Sequence, residues 1–213
     1  MGIESVGLRE SKKQETRQLI SDHATRLFIE QGFERTTIAE IATAARVAKK
    51  TVTNYFARKE DLALDHHEAF TASLARAVAD RAAGESALTA LRREFAAAVE
   101  QCDPVAGFAG PEFARMIADS PTLTARLREL HDQREEALAA ALADVTPADA
   151  PAIAPRAAAA LLAAGHRLLF QRIQELTLAG EPNERIAATV APEAEYVFDT
   201  LATGLGGAEA AES

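Results

Sequence analysis

The chain has 213 residues, 48% hydrophobic and 26% charged, the balance of a soluble globular protein with room for a real core. Frequent Ala, absent Trp and sparse Val and Ile favour helices over sheets, and the lone Cys102 excludes an internal disulfide. The formal net charge of −9 argues against nucleic acid only if taken whole: residues 1–60 hold 11 Lys/Arg against 8 Asp/Glu, and residues 61–213 hold 12 against 24. A mildly basic head on an acidic body lets one end meet phosphates while the rest is repelled.

Residues 1–9 are expected to be a disordered tail. They lack the apolar core of a signal peptide, and the residues after Gly2 do not fit a myristoylation pattern. With no uncharged run near the roughly 20 residues that span a bilayer, the reading is cytoplasmic, with no membrane partner. A first helix is predicted from about Glu10 to Gln31, with Ile20, Ala24, Leu27 and Phe28 inward and Gly32 as its stop.

Thr36 to Phe56 then reads as helix, tight turn, short helix. Thr37 and Glu40 have the spacing of a capping box, and Ile38, Ile41, Ala42 and Ala45 share a face. Arg46-Val47-Ala48 breaks the period. Lys49, Lys50, Thr51, Thr53 and Asn54 follow on the second helix, with Val52 and Phe56 inward. A two-helix unit offering short polar and basic side chains suits the DNA major groove, about 12 Å wide. From spacing alone, a helical hairpin with a solvated basic face fits equally well.

Lys59-Glu60-Asp61 opens a predicted helix of roughly 25 residues ending at Gly84, with Phe70, Leu74, Ala77 and Val78 as its stripe. Ser86 caps the next, whose face is Leu88, Leu91, Phe95, Val99 and Cys102. Asp103-Pro104 ends it. Pro111 starts a short helix with Phe113, Met116 and Ile117 inward. Ser120-Pro121 starts a long one to about Val145, where Leu123, Leu127, Leu130, Leu138 and Leu142 recur at three, four and eight; its middle, Gln133 to Glu136, reads as a solvated charged face. After a proline-rich loop, Arg156 to Ala179 is the most apolar helix. Asn183 to Gly204 is the last, with Pro192 expected to kink or divide it, and residues 206–213 are expected to be a disordered tail.

Ala24 to Leu62 resembles the DNA-binding head of the TetR (tetracycline-repressor-like) family. The resemblance rests on the joint spacing of Leu27-Phe28, Gly32-Phe33, Thr36-Thr37, Ile41-Ala42, Val47, Thr51, Tyr55-Phe56 and Lys59-Glu60. Arg46, Ala48 and Thr53 depart from it, standing where a turn glycine, a capping serine and an aromatic are common.

The resemblance implies an all-α fold of about nine helices. Residues 10–57 would form a three-helix helix-turn-helix head, with its motif at 36–56. Residues 58–205 would form a helical effector-binding and dimerisation bundle. It implies a homodimeric, ligand-responsive repressor that reads a palindromic double-stranded DNA operator through a recognition helix at 48–56. Thr36, Thr37, Lys49, Lys50, Thr51, Thr53, Asn54, Tyr55 and Lys59 are the expected DNA contacts.

A small, largely hydrophobic effector would sit among Phe95, Cys102, Phe113, Met116, Leu130, His131, His166 and Phe170. Leu162, Leu169, Ile173, Leu176, Val190, Val197 and Leu201 are the expected dimer interface. No catalytic, metal or cofactor site is expected: His66-His67 do not share a helix face, His23, His131 and His166 are isolated, and no ligand-spaced cluster appears. The rival reading, an acidic helical enzyme or lipid-binding module with an incidental hairpin, requires such a cluster.

Overall fold

The computed structural model describes residues 3–206, and among them the chain forms ten α-helices, one 3₁₀ turn and no strand. The all-helical expectation holds, with one helix more than expected. The helices are α1 (Ile3–Gln31), α2 (Ile38–Ala44), α3 (Lys49–Tyr55), α4 (Glu60–Ala63), α5 (His67–Ala79), α6 (Ala87–Glu100), α7 (Pro111–Asp119), α8 (Pro121–Ala143), α9 (Ala154–Leu178) and α10 (Asn183–Gly206). The expected tails fare differently. Backbone from Ile3 is already helical where a disordered tail is expected, and residues 207–213 lie outside the described residues.

Two compact units divide the chain: one is Met1–His67 with Met116–Arg126, the other Glu68–Arg115 with Leu127–Ser213. The first unit is therefore larger than a head ending at residue 57, and it is not contiguous.

In the first unit α1 packs on α2 and α4, and α2 on α3. Ile20, Ala24, Phe28, Phe33, Ile41, Val52, Phe56, Leu62 and Leu123 are buried. Phe28 and Phe33 meet ring to ring at 5.0 Å across the Gly32 turn, where Gly32 takes φ +86°. Two polar links tie residues 116–126 to this unit: Ser120 Oγ donates to Glu34 Oε1 (2.6 Å), and Arg126 donates to Asp61 Oδ1 (3.0 Å). The Ser120 hydroxyl is the first cause holding the Glu34 carboxyl below its ordinary range.

The predicted long helix from Lys59 to Gly84 is two helices. Leu64, at φ −108° and ψ 53°, breaks it, and the Leu64 carbonyl accepts from the backbone N–H of His67 (2.9 Å) and from its ring Nδ1 (2.8 Å). Next to the break, Asp65 accepts the hydroxyl of buried Ser21 at 2.6 Å. These are tertiary and side-chain partners that helical periodicity does not register.

The core of the second unit runs through Leu74, Val78, Leu91, Phe95, Leu138, Leu162, Leu169, Ile173, Ile186, Val190 and Phe198. Helix α10 packs on α6 and α9. Gly165 permits the α9–α10 approach, since a Cβ there would lie 2.8 Å from Leu201 Cδ1. Pro192 sits inside α10 without dividing it. Arg172 forks onto Glu193 (3.0 and 3.2 Å), and Arg92 pairs with Glu195 and Asp199. Among the described residues no helix is long and apolar enough to cross a membrane.

Candidate functional site

The turn motif is built from its caps. Thr37 is the N-cap of α2: its hydroxyl accepts from the Glu40 N–H, and the Glu40 carboxylate accepts from the Thr37 N–H (2.7 Å), the complete capping box. The Thr37 N–H, and then the Thr37 hydroxyl, which donates to the same carboxylate oxygen (2.8 Å), lower the Glu40 pKa. Arg46 then takes φ 55°, the left-handed turn that glycine adopts without strain. Ala48 is the N-cap of α3 and supplies no side-chain bond.

Helix α3 buries Val52 and carries no acidic residue. Lys49, Lys50, Thr53 and Asn54 are exposed on it, while Thr51 and Tyr55 are half-buried. The Thr53 hydroxyl donates to the Lys50 carbonyl (3.1 Å). Arg17 of α1 fixes the far end, donating to the Tyr55 carbonyl (3.2 Å) and lying 4.6 Å over the Phe56 ring.

Two expected DNA contacts are instead tied into the fold. Thr36 is 1% exposed and its hydroxyl donates to the Gly32 carbonyl at 3.0 Å, closing the turn after α1. Lys59 is half-buried: its Nζ donates to the carbonyls of Phe33 (2.7 Å) and Thr36 (2.9 Å) and sits 4.1 Å from the Phe33 ring centre. Of the others, Thr37, Lys49, Lys50, Thr53 and Asn54 are exposed, and Thr51 and Tyr55 are half-buried.

The second unit holds a cavity of about 120 Å³. Leu74, Leu91, Phe95 and Phe170 give it apolar walls, and half-buried Ser73 and buried Arg134 and His166 are among its polar lining. Of the eight expected effector residues, Phe95, His166 and Phe170 line it. His131 stands beside it, edge-on to Phe70 (5.0 Å) and Phe170 (5.2 Å). Cys102 lies in the turn after α6 at φ 49°, Leu130 is plain core, Phe113 is half-buried on α7, and Met116 belongs to the other unit; none of these lines the cavity.

His166 forms a second aromatic triad with Phe95 (5.6 Å) and Phe198 (5.4 Å). Burial, followed by the nearby Arg134 charge, holds both imidazoles neutral: His131 is pushed down to about 4 and His166 well below the ordinary value.

The residue that sequence reasoning passed over is Arg134. The stretch Gln133 to Glu136 is not a uniform solvated face, because Arg134 is 6% exposed and points inward. A signal was present: position 134 fills the eight-residue gap in the leucine stripe, four from Leu130 and four from Leu138.

The expected dimer interface also needs correction. Leu162, Leu169, Ile173 and Val190 are buried within the single chain, and Leu176, Val197 and Leu201 are half-buried against the same core. The exposed large apolar side chains of α9 and α10 are Leu161, Leu168, Leu178 and Tyr196, with a shallow groove between Leu168, Arg172, Pro192 and Tyr196. A helix apolar around most of its girth shows the stripe but not which side its own chain covers.

Residues 20–65 match the family described as bacterial regulatory proteins, tetR family. The HTH-type transcriptional regulator TcmR of Streptomyces glaucescens is 32% identical over 142 residues, 64% of this chain and 63% of that protein, so the match spans less than two thirds of its length. Two solved structures share the fold. One is the SmeT–triclosan complex (TM-score 0.56, 18% identity, 89% of this chain and 91% of that one). The other is NalD, the secondary repressor of the MexAB-OprM multidrug efflux pump in Pseudomonas aeruginosa (TM-score 0.55, 19% identity, 90% and 97%). The capped motif thus lies in a segment, residues 20–65, that matches the tetR family of bacterial regulatory proteins, and the chain shares its fold with these two solved structures.

Proposed function

We propose that the protein is a cytoplasmic, homodimeric repressor that binds a palindromic operator through residues 48–56 and is released by a small effector. The observation that carries this is α3 itself: a short helix held by a capped α2 and by Arg17, with Lys49, Lys50, Thr53 and Asn54 outside the fold's own packing on its outer face. That is the complement of a major groove flanked by phosphates. NalD's description as a repressor and SmeT's complex with triclosan support repression and ligand response.

Exposed Leu161, Leu168 and Tyr196 support a subunit contact on α9 and α10. Two heads then read half-sites about 34–36 Å apart, or a multiple of that. An effector coupling of about 1–3 kcal/mol changes operator affinity several-fold to a hundred-fold.

The test is a mobility-shift titration with the region upstream of the protein's own gene, run from low to high salt. Wild type shifts a discrete fragment. The Lys49→Ala, Lys50→Ala pair weakens binding and flattens the salt dependence by about one unit for each phosphate no longer neutralised. Unchanged affinity for that fragment in the double variant would refute the assignment of α3.

A further inference from the structure

We propose that the cavity of the second unit takes a single-ring aromatic monocarboxylic acid, its carboxylate held by Arg134 and its ring laid against Phe95 and Phe170. This rests on the regulator reading above and deepens it by naming the chemistry of the ligand.

Arg134 is 6% exposed. Its Nε donates to Ser73 Oγ (2.9 Å), and the guanidinium lies 4.6 Å over the Phe70 ring. A guanidinium has five N–H donors, and among the described residues this one has no carboxylate within ion-pair distance. Buried charges are ordinarily paired, because an ion taken out of water loses its hydration. The two acids on the cavity wall are occupied elsewhere: Glu94 accepts from Arg93, and Asp103 from the Val105 N–H. Burial lowers the Arg134 pKa only to about 10, so it stays charged at neutral pH.

A second polar atom lines the same space without a partner. His166 is 4% exposed and its Nε2 makes no hydrogen bond. A neutral imidazole offers one donor or one acceptor there, so a ligand with a second oxygen is anchored twice.

The walls set the rest of the ligand. About 120 Å³ is close to the ~150 Å³ of an engineered apolar cavity that binds benzene. One ring fits, and Phe95 and Phe170 give it aromatic neighbours. A carboxylate matches the guanidinium fork with two parallel bonds and one charge. A phosphate dianion would bring a second charge that the apolar walls cannot answer.

The experiment is calorimetric titration of the full-length chain, without DNA, using benzoate and its neutral isostere benzamide. Wild type is expected to bind benzoate at least tenfold more tightly than benzamide. In Arg134→Met that preference should vanish or reverse. Equal or tighter binding of benzamide by wild type, or no benzoate heat up to millimolar concentration, would overturn the proposal. The wild-type comparison stands by itself if the variant does not fold. A parallel mobility-shift assay separates the two readings. DNA binding without benzoate binding sinks the ligand assignment alone, and benzoate binding without DNA binding sinks the regulator reading alone.

Discussion

Asp61 and Arg126 form a buried ion pair, 3.0 Å apart, between residues 65 positions apart in sequence. Both side chains are about nine-tenths covered. The pair fastens the first turns of α8 into the same compact unit as α1 to α4. Neutralising Asp61 takes a carboxylate from the buried Arg126, so Asp61→Asn should cost about 1.5–3 kcal/mol. Urea denaturation checks it, as a fall in midpoint with an unchanged slope. Replacing both, Asp61→Leu with Arg126→Met, should recover most of that stability.

Lys59 separates a fold contact from a DNA contact. Its ammonium bonds the carbonyls of Phe33 and Thr36, so Lys59→Met should cost about 2 kcal/mol of stability. At a temperature where the variant is folded, the slope of operator affinity against salt should equal that of wild type. A flatter slope would place Lys59 on phosphate after all.

The recognition helix starts without a side-chain cap at Ala48. Ala48→Ser should add a bond to an open backbone N–H and raise stability by about 0.5–1 kcal/mol. Thr37→Ala, which removes the cap of α2, should lower it by about 1 kcal/mol. Thermal melts of the two single variants give opposite shifts.

The two histidine–phenylalanine triads make stability fall with acid. The imidazoles are neutral when folded, with pKa values depressed from 6.5 to about 4 for His131 and well below 6.5 for His166. Unfolding lets each take up a proton. Their contribution is complete above pH 6.5 and is lost as pH falls through the folded-state values. For His131 the loss reaches about 3 kcal/mol at pH 4. His131→Phe should keep the ring packing against Phe70 and Phe170 and remove that dependence. The stability gap between variant and wild type should therefore change by that amount between pH 7 and pH 4, measured by denaturant titration.

The sequence was most legible where structure is local. Thr37 and Glu40 are three residues apart and bond each other, and Ser86 bonds the N–H of Thr89, so spacing alone finds both caps. Legibility fails where a partner is distant. Nothing near Lys59 tells that its ammonium meets carbonyls 23 and 26 residues earlier, and nothing near Leu64 tells that the helix must break. Arg134 is intermediate. Its polar and charged neighbours Gln133, Glu135 and Glu136 suggest solvent, while its register with Leu130 and Leu138 points inward. The dimer face failed for a related reason: Leu162 and Leu168 look alike in sequence, yet one is buried and the other 57% exposed.

The discontinuous first unit bears on how this protein could be rebuilt. Leu123, Ser120 and Arg126 come from residues 116–126, yet they share a unit with Glu34 and Asp61. A chimera made by exchanging residues 1–67 as a cassette would carry Asp61 away from Arg126 and Glu34 away from Ser120. Operator preference should transfer cleanly only when the eleven residues from Met116 to Arg126 travel with the graft.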